Sequence, residues 1–127
     1  MPATPPRVIL GVGGGIAAYK SAELARLLVQ RGFRVQAVMT RAATEFITPL
    51  TLASLTQQKV ITHLFAPPTD SQATLSSAIE HINVALENDL LLVAPATADL
   101  IAQFAHGLAS DFLTTLHLAF TGPVLLA

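Results

Sequence analysis

The chain has 127 residues, which suits one domain, and its net charge at pH 7 is −1. Hydrophobic residues make up 52% of it and charged residues 12%, which excludes a disordered chain that lacks the apolar surface to fold. Seven Lys and Arg stand against eight Asp and Glu, so no basic face for nucleic acid is indicated. Cysteine is absent, which excludes disulfides, thiolate metal sites and a cysteine nucleophile.

Targeting and membrane signals are not found in the sequence. Residues 1–6 lack the basic start and apolar run of a signal peptide, and no apolar stretch reaches the roughly 18 residues of a membrane span. We therefore expect a cytoplasmic protein that does not contact a membrane. So few charges on so apolar a chain also suggest that partner subunits cover part of its surface.

Strands and helices are predicted to alternate along the chain after a short tail at 1–6. The predicted strands are apolar runs at 7–12, 33–39, 59–64 (a short edge strand), 90–94 and from Val124 onwards. The predicted helices cover 16–31, 40–46, 50–56, 97–106 and 111–120, with Gly32 ending the first and a loop predicted at 66–77. This order, without repeats or linkers, predicts an α/β domain over 7–127, a doubly wound parallel sheet with helices on both faces.

A glycine-rich turn from Gly11 to Ile16 separates the first strand from the first helix. Glycines let backbone N–H groups approach a ligand, and a helix N-terminus favours an anion, so the turn predicts an anion site unless it is only a tight turn. Ile16 replaces the Gly or Ala of a dinucleotide fingerprint and no acidic residue ends the second strand, which disfavours NAD, although Arg41 leaves NADP open. A Walker A loop is disfavoured because Tyr19 occupies the position of its second glycine.

A mononucleotide with its phosphate at the glycine turn therefore fits the residues best. Thr40 ends the second strand beside the expected switch point and suits either a phosphate contact or an N-cap. Small residues from Ala94 to Ala98 end the central strand, where a flat ring can lie against them while Thr97 contacts its polar edge. An ordinary strand-to-helix joint explains the same segment, so both interpretations stay open.

The four histidines differ in their surroundings along the chain. His63, His106 and His117 are interpreted as loop or helix-surface residues, whereas His81 precedes the central strand. No pair has metal-ligand spacing together with an acidic partner, so no metal site is predicted. Without further context a lone histidine is more often structural than catalytic.

Several motifs follow one another in a recognisable order. They are Gly-Gly-Ile-Ala-Ala-Tyr-Lys (14–20), Met-Thr-x-x-Ala (39–43), Phe-Ile-Thr-Pro-Leu (46–50), His81-Ile82, Ala-Pro-Ala-Thr-Ala-Asp-Leu-Ile-Ala (94–102) and Gly107-x-Ala109-x-Asp111 through Thr114-Thr115. Together they make the chain, from about Arg7 to Ala127, resemble the flavoprotein domain of phosphopantothenoylcysteine decarboxylases, within the flavin-dependent cysteine decarboxylase group. No single motif is specific; their order is.

The resemblance implies a flavodoxin-like domain that binds FMN and assembles as a trimer or a higher assembly of trimers, with the flavin near subunit contacts. In the family, FMN oxidises the cysteine thiol of 4′-phosphopantothenoylcysteine, carbon dioxide leaves, and the reduced flavin returns a hydride to give 4′-phosphopantetheine in coenzyme A biosynthesis. The cofactor supplies the difficult chemistry and the protein orients it. A ligase domain accompanies this domain in the bifunctional members.

The resemblance also implies roles for individual residues. His81 matches the family's active-site histidine, a base or a substrate-orienting group in the oxidative step. The residues that match the FMN-phosphate region are Gly14, Gly15, Ile16 and Thr40. Those that match positions along the flavin are Phe46, Ala94, Ala96, Thr97 and Ala98, with Ser110 and Asp111 in another flavin-proximal segment.

The sequence departs from the family pattern in two respects. Gly13 stands where the family commonly has Ser, and loss of that hydroxyl removes a charge-assisted hydrogen bond of about 1.5–3 kcal/mol. The family's Pro-x-Met-Asn-x-x-Met segment, its flap cysteine and its CTP-dependent ligase domain are not found, so we expect a flavoprotein domain that is incomplete at its C-terminal end. The alternatives are a non-catalytic flavin-binding or regulatory module, a peptidyl-cysteine decarboxylase and a flavin prenyltransferase.

Overall fold

The computed structural model describes residues 4–64, 76, 79–80 and 83–127. The strands are β1 (Arg7–Val12), β2 (Arg34–Met39), β3 (Leu90–Val93) and β4 (Val124–Leu126). The helices are α1 (Ala18–Gln30), α2 (Pro49–Thr56), α3 (Ala98–Ala105) and α4 (Phe112–Ala119), with a 3-10 turn at Ala43–Glu45 and helical backbone at 83–87. In the part of the chain so described, no helix is both long and apolar enough to cross a membrane.

The four strands form one parallel sheet in the order β2-β1-β3-β4. Val8 of β1 pairs with Val35 of β2 on one side and with Leu90 of β3 on the other. The chain therefore winds outwards from β1 to β2 and then returns past β1 to β3. This reversal confirms the doubly wound arrangement and places a topological switch point between the carboxyl ends of β1 and β3.

The sheet is buried on both faces by helices. Val8, Leu10 and Val12 pack with α1 and α2 on one face, and Ile9 packs with α3 and α4 on the other. Leu91 is fully buried on the same face as Ile9. Full burial of a side chain of this size stabilises the fold by about 1.5–3 kcal/mol. The two apolar layers hold the strand ends in fixed positions, and these ends in turn fix the starting points of the loops that follow.

Helix α1 starts later than the sequence predicts and ends where it predicts. Residues 14–17 form turns, so helical backbone begins at Ala18 and not at Ile16. At the other end Gly32 has φ +90°, its N–H donates to the Val29 carbonyl at 3.0 Å, and the Phe33 N–H donates to the Leu28 carbonyl at 3.0 Å. Such a paired ending needs a left-handed residue, and this confirms the predicted role of Gly32.

Two predicted elements are shorter than expected. The edge strand at 59–64 is reduced to one parallel bridge between Ile61 and Val38, with the Met39 N–H donating to the Ile61 carbonyl at 2.9 Å. The helix predicted at 40–46 is only the 3-10 turn, because the chain turns to enter α2 at Pro49. Of the loop predicted at 66–77, only Ser76 lies within the described residues, and its backbone is helical.

Candidate functional site

A cavity of about 280 Å³ opens at the carboxyl ends of β1, β2 and β3. It lies at the switch point, where open α/β sheets bind their ligands. Its walls come from the β1–α1 loop, the end of β2, the first turns of α3 and the loop before α4. The lining residues are Gly13, Gly14, Thr40, Arg41, Ala42, Thr97, Asp99, Leu100, Gln103, Ser110 and Asp111.

The glycines of the β1–α1 loop allow a close approach to the neighbouring strand ends. The Gly13 N–H donates to the Pro95 carbonyl at 3.1 Å, and a Cβ on Gly13 would lie 2.5 Å from that oxygen. A Cβ on Gly14 would lie 2.8 Å from the carbonyl carbon of Ala42. Because backbone atoms stand this close, a side chain at either position would have to displace a neighbouring segment of this structure. The close approach therefore fits glycine at position 13, where the family commonly has Ser.

The same loop leaves backbone donors without protein acceptors. Among the described residues, the N–H groups of Gly14, Gly15 and Ile16 donate to no protein atom, and no side chain caps α1 at Ala17. A Cβ on Gly15 would meet only the Thr97 methyl group, at 3.6 Å, so the approach to these donors is open. Unpaired amides at the positive end of a helix form a binding site for an anion such as a phosphate.

Thr40 lies beside this loop and already has a structural role. Its Oγ1 accepts a hydrogen bond from the Ala43 N–H at 3.1 Å and donates to the Val12 carbonyl at 3.4 Å. The first bond supports the 3-10 turn, which is the capping role considered from the sequence. The second is long for a hydroxyl donor, so the proton can turn toward a phosphate oxygen at little cost.

The wall opposite the glycine loop carries a chain of polar side chains. The Gln103 Nε2 donates to the Asp99 carboxylate at 2.7 Å, and the Ser110 hydroxyl donates to the Gln103 Oε1 at 3.4 Å. Asp111 caps the start of α4, because its Oδ1 accepts from the Thr114 N–H at 2.8 Å and from the Thr114 hydroxyl at 2.7 Å. Asp99 and Gln103 line the cavity but are not among the predicted site residues; their i, i+4 spacing on a helix is the signal in the sequence that points to them.

Sequence-predicted site residues fall into two groups. Those that line the cavity are Gly14, Thr40, Thr97, Ser110 and Asp111, and those that do not are Gly15, Ile16, Phe46, Ala94, Ala96 and Ala98. Catalytic candidate His81 lies outside the described residues.

The predicted residues outside the cavity have varied environments. Ala94 lines a separate apolar cavity of about 240 Å³ on the α1 side, where its carbonyl accepts from the Ser21 hydroxyl at 2.6 Å. Phe46 is 49% exposed directly after the 3-10 turn. Ala96 is half-buried beyond the end of β3, and Ala98 is exposed at the start of α3. Their predicted contacts with a flavin ring stay predictions.

Among the described histidines, His117 on α4 has an unusual environment. Its ring stacks on Phe104 with the centroids 4.1 Å apart, and its Nδ1 is buried without a hydrogen-bond partner among the described residues. Burial lowers the pKa of His117 below its usual value of 6.5 because the charged form loses solvation. Across the described ranges, no group of three His, Asp or Glu side chains is arranged to hold a metal ion.

Comparisons with known proteins agree with this geometry. The chain is 50% identical over 121 residues to the coenzyme A biosynthesis bifunctional protein CoaBC of Vibrio cholerae, a match that covers 95% of this chain and 29% of that protein. The chain thus spans less than a third of the length of the curated relatives that it matches.

Solved structures share the fold. The FMN-dependent cysteine decarboxylase SpaF superposes with a TM-score of 0.80 at 27% identity, covering 96% of this chain and 67% of SpaF. A PPC decarboxylase mutant complexed with pantothenoylaminoethenethiol superposes with a TM-score of 0.71 at 27% identity. The match covers 95% of this chain and 65% of that mutant's chain. The Flavoprotein family matches residues 2–127. The chain belongs to the Flavoprotein family.

Proposed function

We propose that this chain binds FMN and serves in the decarboxylation of 4′-phosphopantothenoylcysteine to 4′-phosphopantetheine, a lyase reaction of coenzyme A biosynthesis. The observation that carries the proposal is the set of unpaired amides of Gly14, Gly15 and Ile16 at the switch point of a Flavoprotein-family chain. The name of the Vibrio cholerae relative supports coenzyme A biosynthesis, and the names of the structural neighbours support cysteine decarboxylation.

The described residues fit FMN. The unpaired amides and the Thr40 hydroxyl suit a phosphate, which is the anionic end of that cofactor. Small residues after β3, among them Ala96 and Ala98, leave space for a flat ring, and exposed Phe46 offers it an apolar contact. When bound, FMN supplies a two-electron oxidation of a thiol and the later return of a hydride.

The protein's own residues bind and orient in this scheme. The β1–α1 loop holds the phosphate, and rigid packing of Gly13 against Pro95 and of Gly14 against Ala42 fixes the loop relative to the sheet. Thr97 fixes the start of α3, because its Oγ1 accepts from the Leu100 N–H at 3.1 Å. We assign His81 the role of base or orienting group for the substrate thiol, on the strength of its His-Ile motif.

FMN binding and turnover are separable in this proposal. In the resemblance, an Asn of a Pro-x-Met-Asn-x-x-Met segment binds the substrate carboxylate and a flap cysteine serves the reductive step, whereas the residues proposed above for FMN and for the oxidative step lie in this chain. Loss of FMN binding and loss of turnover are therefore expected from different substitutions. The second candidate is a flavin-binding module that does not turn substrate over.

We also propose a homotrimer or a higher assembly of trimers. Ile16 is 83% exposed, Leu50 74% and Tyr19 61%, and solvent-facing apolar side chains of this size favour cover by a partner subunit. A ligase domain is the further partner that a bifunctional relative suggests. The proposed location is the cytoplasm, since a phosphorylated substrate does not cross membranes unaided.

Titration with FMN tests the cofactor, and product analysis tests the reaction. We expect a yellow complex, and in the natural protein we expect conversion of 4′-phosphopantothenoylcysteine with loss of carbon dioxide, which mass spectrometry detects. His81→Asn should bind FMN and lose decarboxylation. Failure to bind FMN contradicts the proposal, and binding without product in the natural protein favours the second candidate. Preference for a peptidyl cysteine would favour the peptidyl-cysteine decarboxylase alternative.

A further inference from the structure

We infer that Arg41 is the cationic phosphate ligand of this cavity and makes it select a phosphorylated flavin over an unphosphorylated one. The inference rests on the proposed function, because it concerns how the same site recognises its cofactor. The sequence resemblance assigned no role to this residue.

Arg41 follows Thr40 at the end of β2 and lines the cavity beside the glycine loop. Its neighbour Ala42 packs directly on Gly14, so the backbone of the β2 end and that of the glycine loop are in contact. The Arg41 carbonyl accepts from the Thr44 hydroxyl at 2.6 Å and from the Thr44 N–H at 3.2 Å. The start of the side chain is therefore fixed next to the unpaired amides, while its end is free to reach a ligand.

The charges around the cavity give Arg41 a distinct position. Of the residues that line the cavity it is the one with a positive side chain, and the two negative ones are Asp99 and Asp111. Within the described ranges its guanidinium has no carboxylate partner; the ion pair found there joins Lys59 and Glu80 at 3.1 Å. A phosphate in this cavity is thus attracted to the side with Arg41 and repelled from the α3 side.

The chemistry of the guanidinium suits this role. It carries a fixed charge and presents paired N–H donors that match two phosphate oxygens, whereas the uncharged ribityl chain of riboflavin offers no such partner. Because Arg41 is exposed, solvent and salt weaken the attraction, and we expect an effect on affinity of about tenfold at low salt.

The test compares dissociation constants for FMN and riboflavin, measured by flavin fluorescence at low and high salt. Arg41→Gln should lower FMN affinity about tenfold at low salt and leave riboflavin affinity unchanged. Arg41→Lys should keep much of the FMN preference. The matched control is Arg31→Gln, at the exposed far end of α1. This variant should keep the full preference for FMN over riboflavin. Thermal unfolding verifies that each variant is folded.

The outcomes separate this inference from the proposed function. A salt-sensitive loss confined to FMN supports Arg41 as the phosphate ligand. An unchanged FMN preference in Arg41→Gln, or equal losses for FMN and riboflavin, overturns the inference while FMN binding by the wild-type protein upholds the function. Wild-type protein that binds neither flavin contradicts the proposed function itself.

Discussion

The β1–α1 and β3–α3 loops lie side by side at the switch point, but they differ in whether a side chain caps the helix that follows. Thr97 caps α3 through its hydroxyl, which accepts from the Leu100 N–H at 3.1 Å. The loop before α1 has glycines in place of a capping side chain, and the N–H groups of Gly14, Gly15 and Ile16 have no acceptor in the described part of the protein. One helix start is completed by the protein, and the other is left for a ligand.

The difference shows how a fold can separate stability from binding. An unpaired donor costs stability unless water or a ligand satisfies it, so a capped helix start stabilises the free protein and an uncapped one stabilises a complex. The two loops are also joined, because the Gly13 N–H donates to the Pro95 carbonyl at 3.1 Å. The capped loop thereby holds the uncapped one in position.

The largest effect is expected when the glycine loop is forced away from its neighbours. Gly14→Ala places a methyl group 2.8 Å from the Ala42 carbonyl carbon, so we expect a loss of about 1–3 kcal/mol in the free energy of unfolding, together with loss of FMN binding. Gly15→Ala is the control, since its methyl group meets only the Thr97 methyl at 3.6 Å. Chemical denaturation measures both. Equal destabilisation by the two variants would show that close packing at Gly14 is not what the loop requires.

A negative charge at the uncapped helix start should come next. Ile16 is 83% exposed, so Ile16→Asp should leave the fold intact and weaken FMN binding about tenfold to a hundredfold by repulsion from the phosphate. Ile16→Asn introduces a side chain of the same shape as Asp but without its charge, and therefore controls for the lost apolar contact of Ile16. Titration at low salt measures both affinities. If the two variants bind FMN equally well, the phosphate does not lie at this helix start.

Removal of the cap on α3 should act on stability. Thr97→Ala deletes the acceptor for the Leu100 N–H and should lower the free energy of unfolding by about 1 kcal/mol. Thr97→Ser retains the hydroxyl and should cost less. Thermal denaturation without flavin is the measurement. A Thr97→Ala protein as stable as wild type would remove the contrast between the two helix starts.

The smallest effect concerns pH and a region away from both loops. Because burial lowers the pKa of His117 in the folded protein, the unfolded state binds more protons as pH falls below about 6.5, and stability decreases from there toward the lower folded-state pKa. His117→Phe keeps the stacking on Phe104 and should flatten this dependence, because the residue no longer titrates. Unfolding at pH 5 and pH 7.5 measures it. An identical pH dependence in the variant would contradict the role of His117.

Local patterns predicted most of the fold. The apolar run at 7–12 matches β1 residue for residue, because a strand buried on both faces has few other interpretations. The predicted start of α1, Ile16, is two residues earlier than the observed start, Ala18. The spacing of apolar residues carries no information about the turns that the three preceding glycines favour. The edge strand predicted at 59–64 is longer than the single bridge at Ile61, because the same apolar pattern is compatible with one bridge and with a full strand.

The site was predictable in part. Gly14, Thr40 and Thr97 were identified because the segments that follow parallel strands meet at one edge of the sheet. Gln103 was missed because its place on the wall depends on how α3 packs, and its bond to Asp99 is a tertiary consequence of that packing. Ala94 lines a cavity toward α1, and its contact with the flavin stays a prediction.

The backbone amides of the β1–α1 loop can be followed one by one during titration with FMN. In ¹⁵N-labelled protein we expect the amide resonances of Gly14, Gly15 and Ile16 to shift the most, because phosphate oxygens would accept their hydrogen bonds, while the Leu100 amide, already bonded to Thr97, shifts little. If these three resonances stay unchanged at saturation with FMN, the phosphate does not bind at the β1–α1 loop.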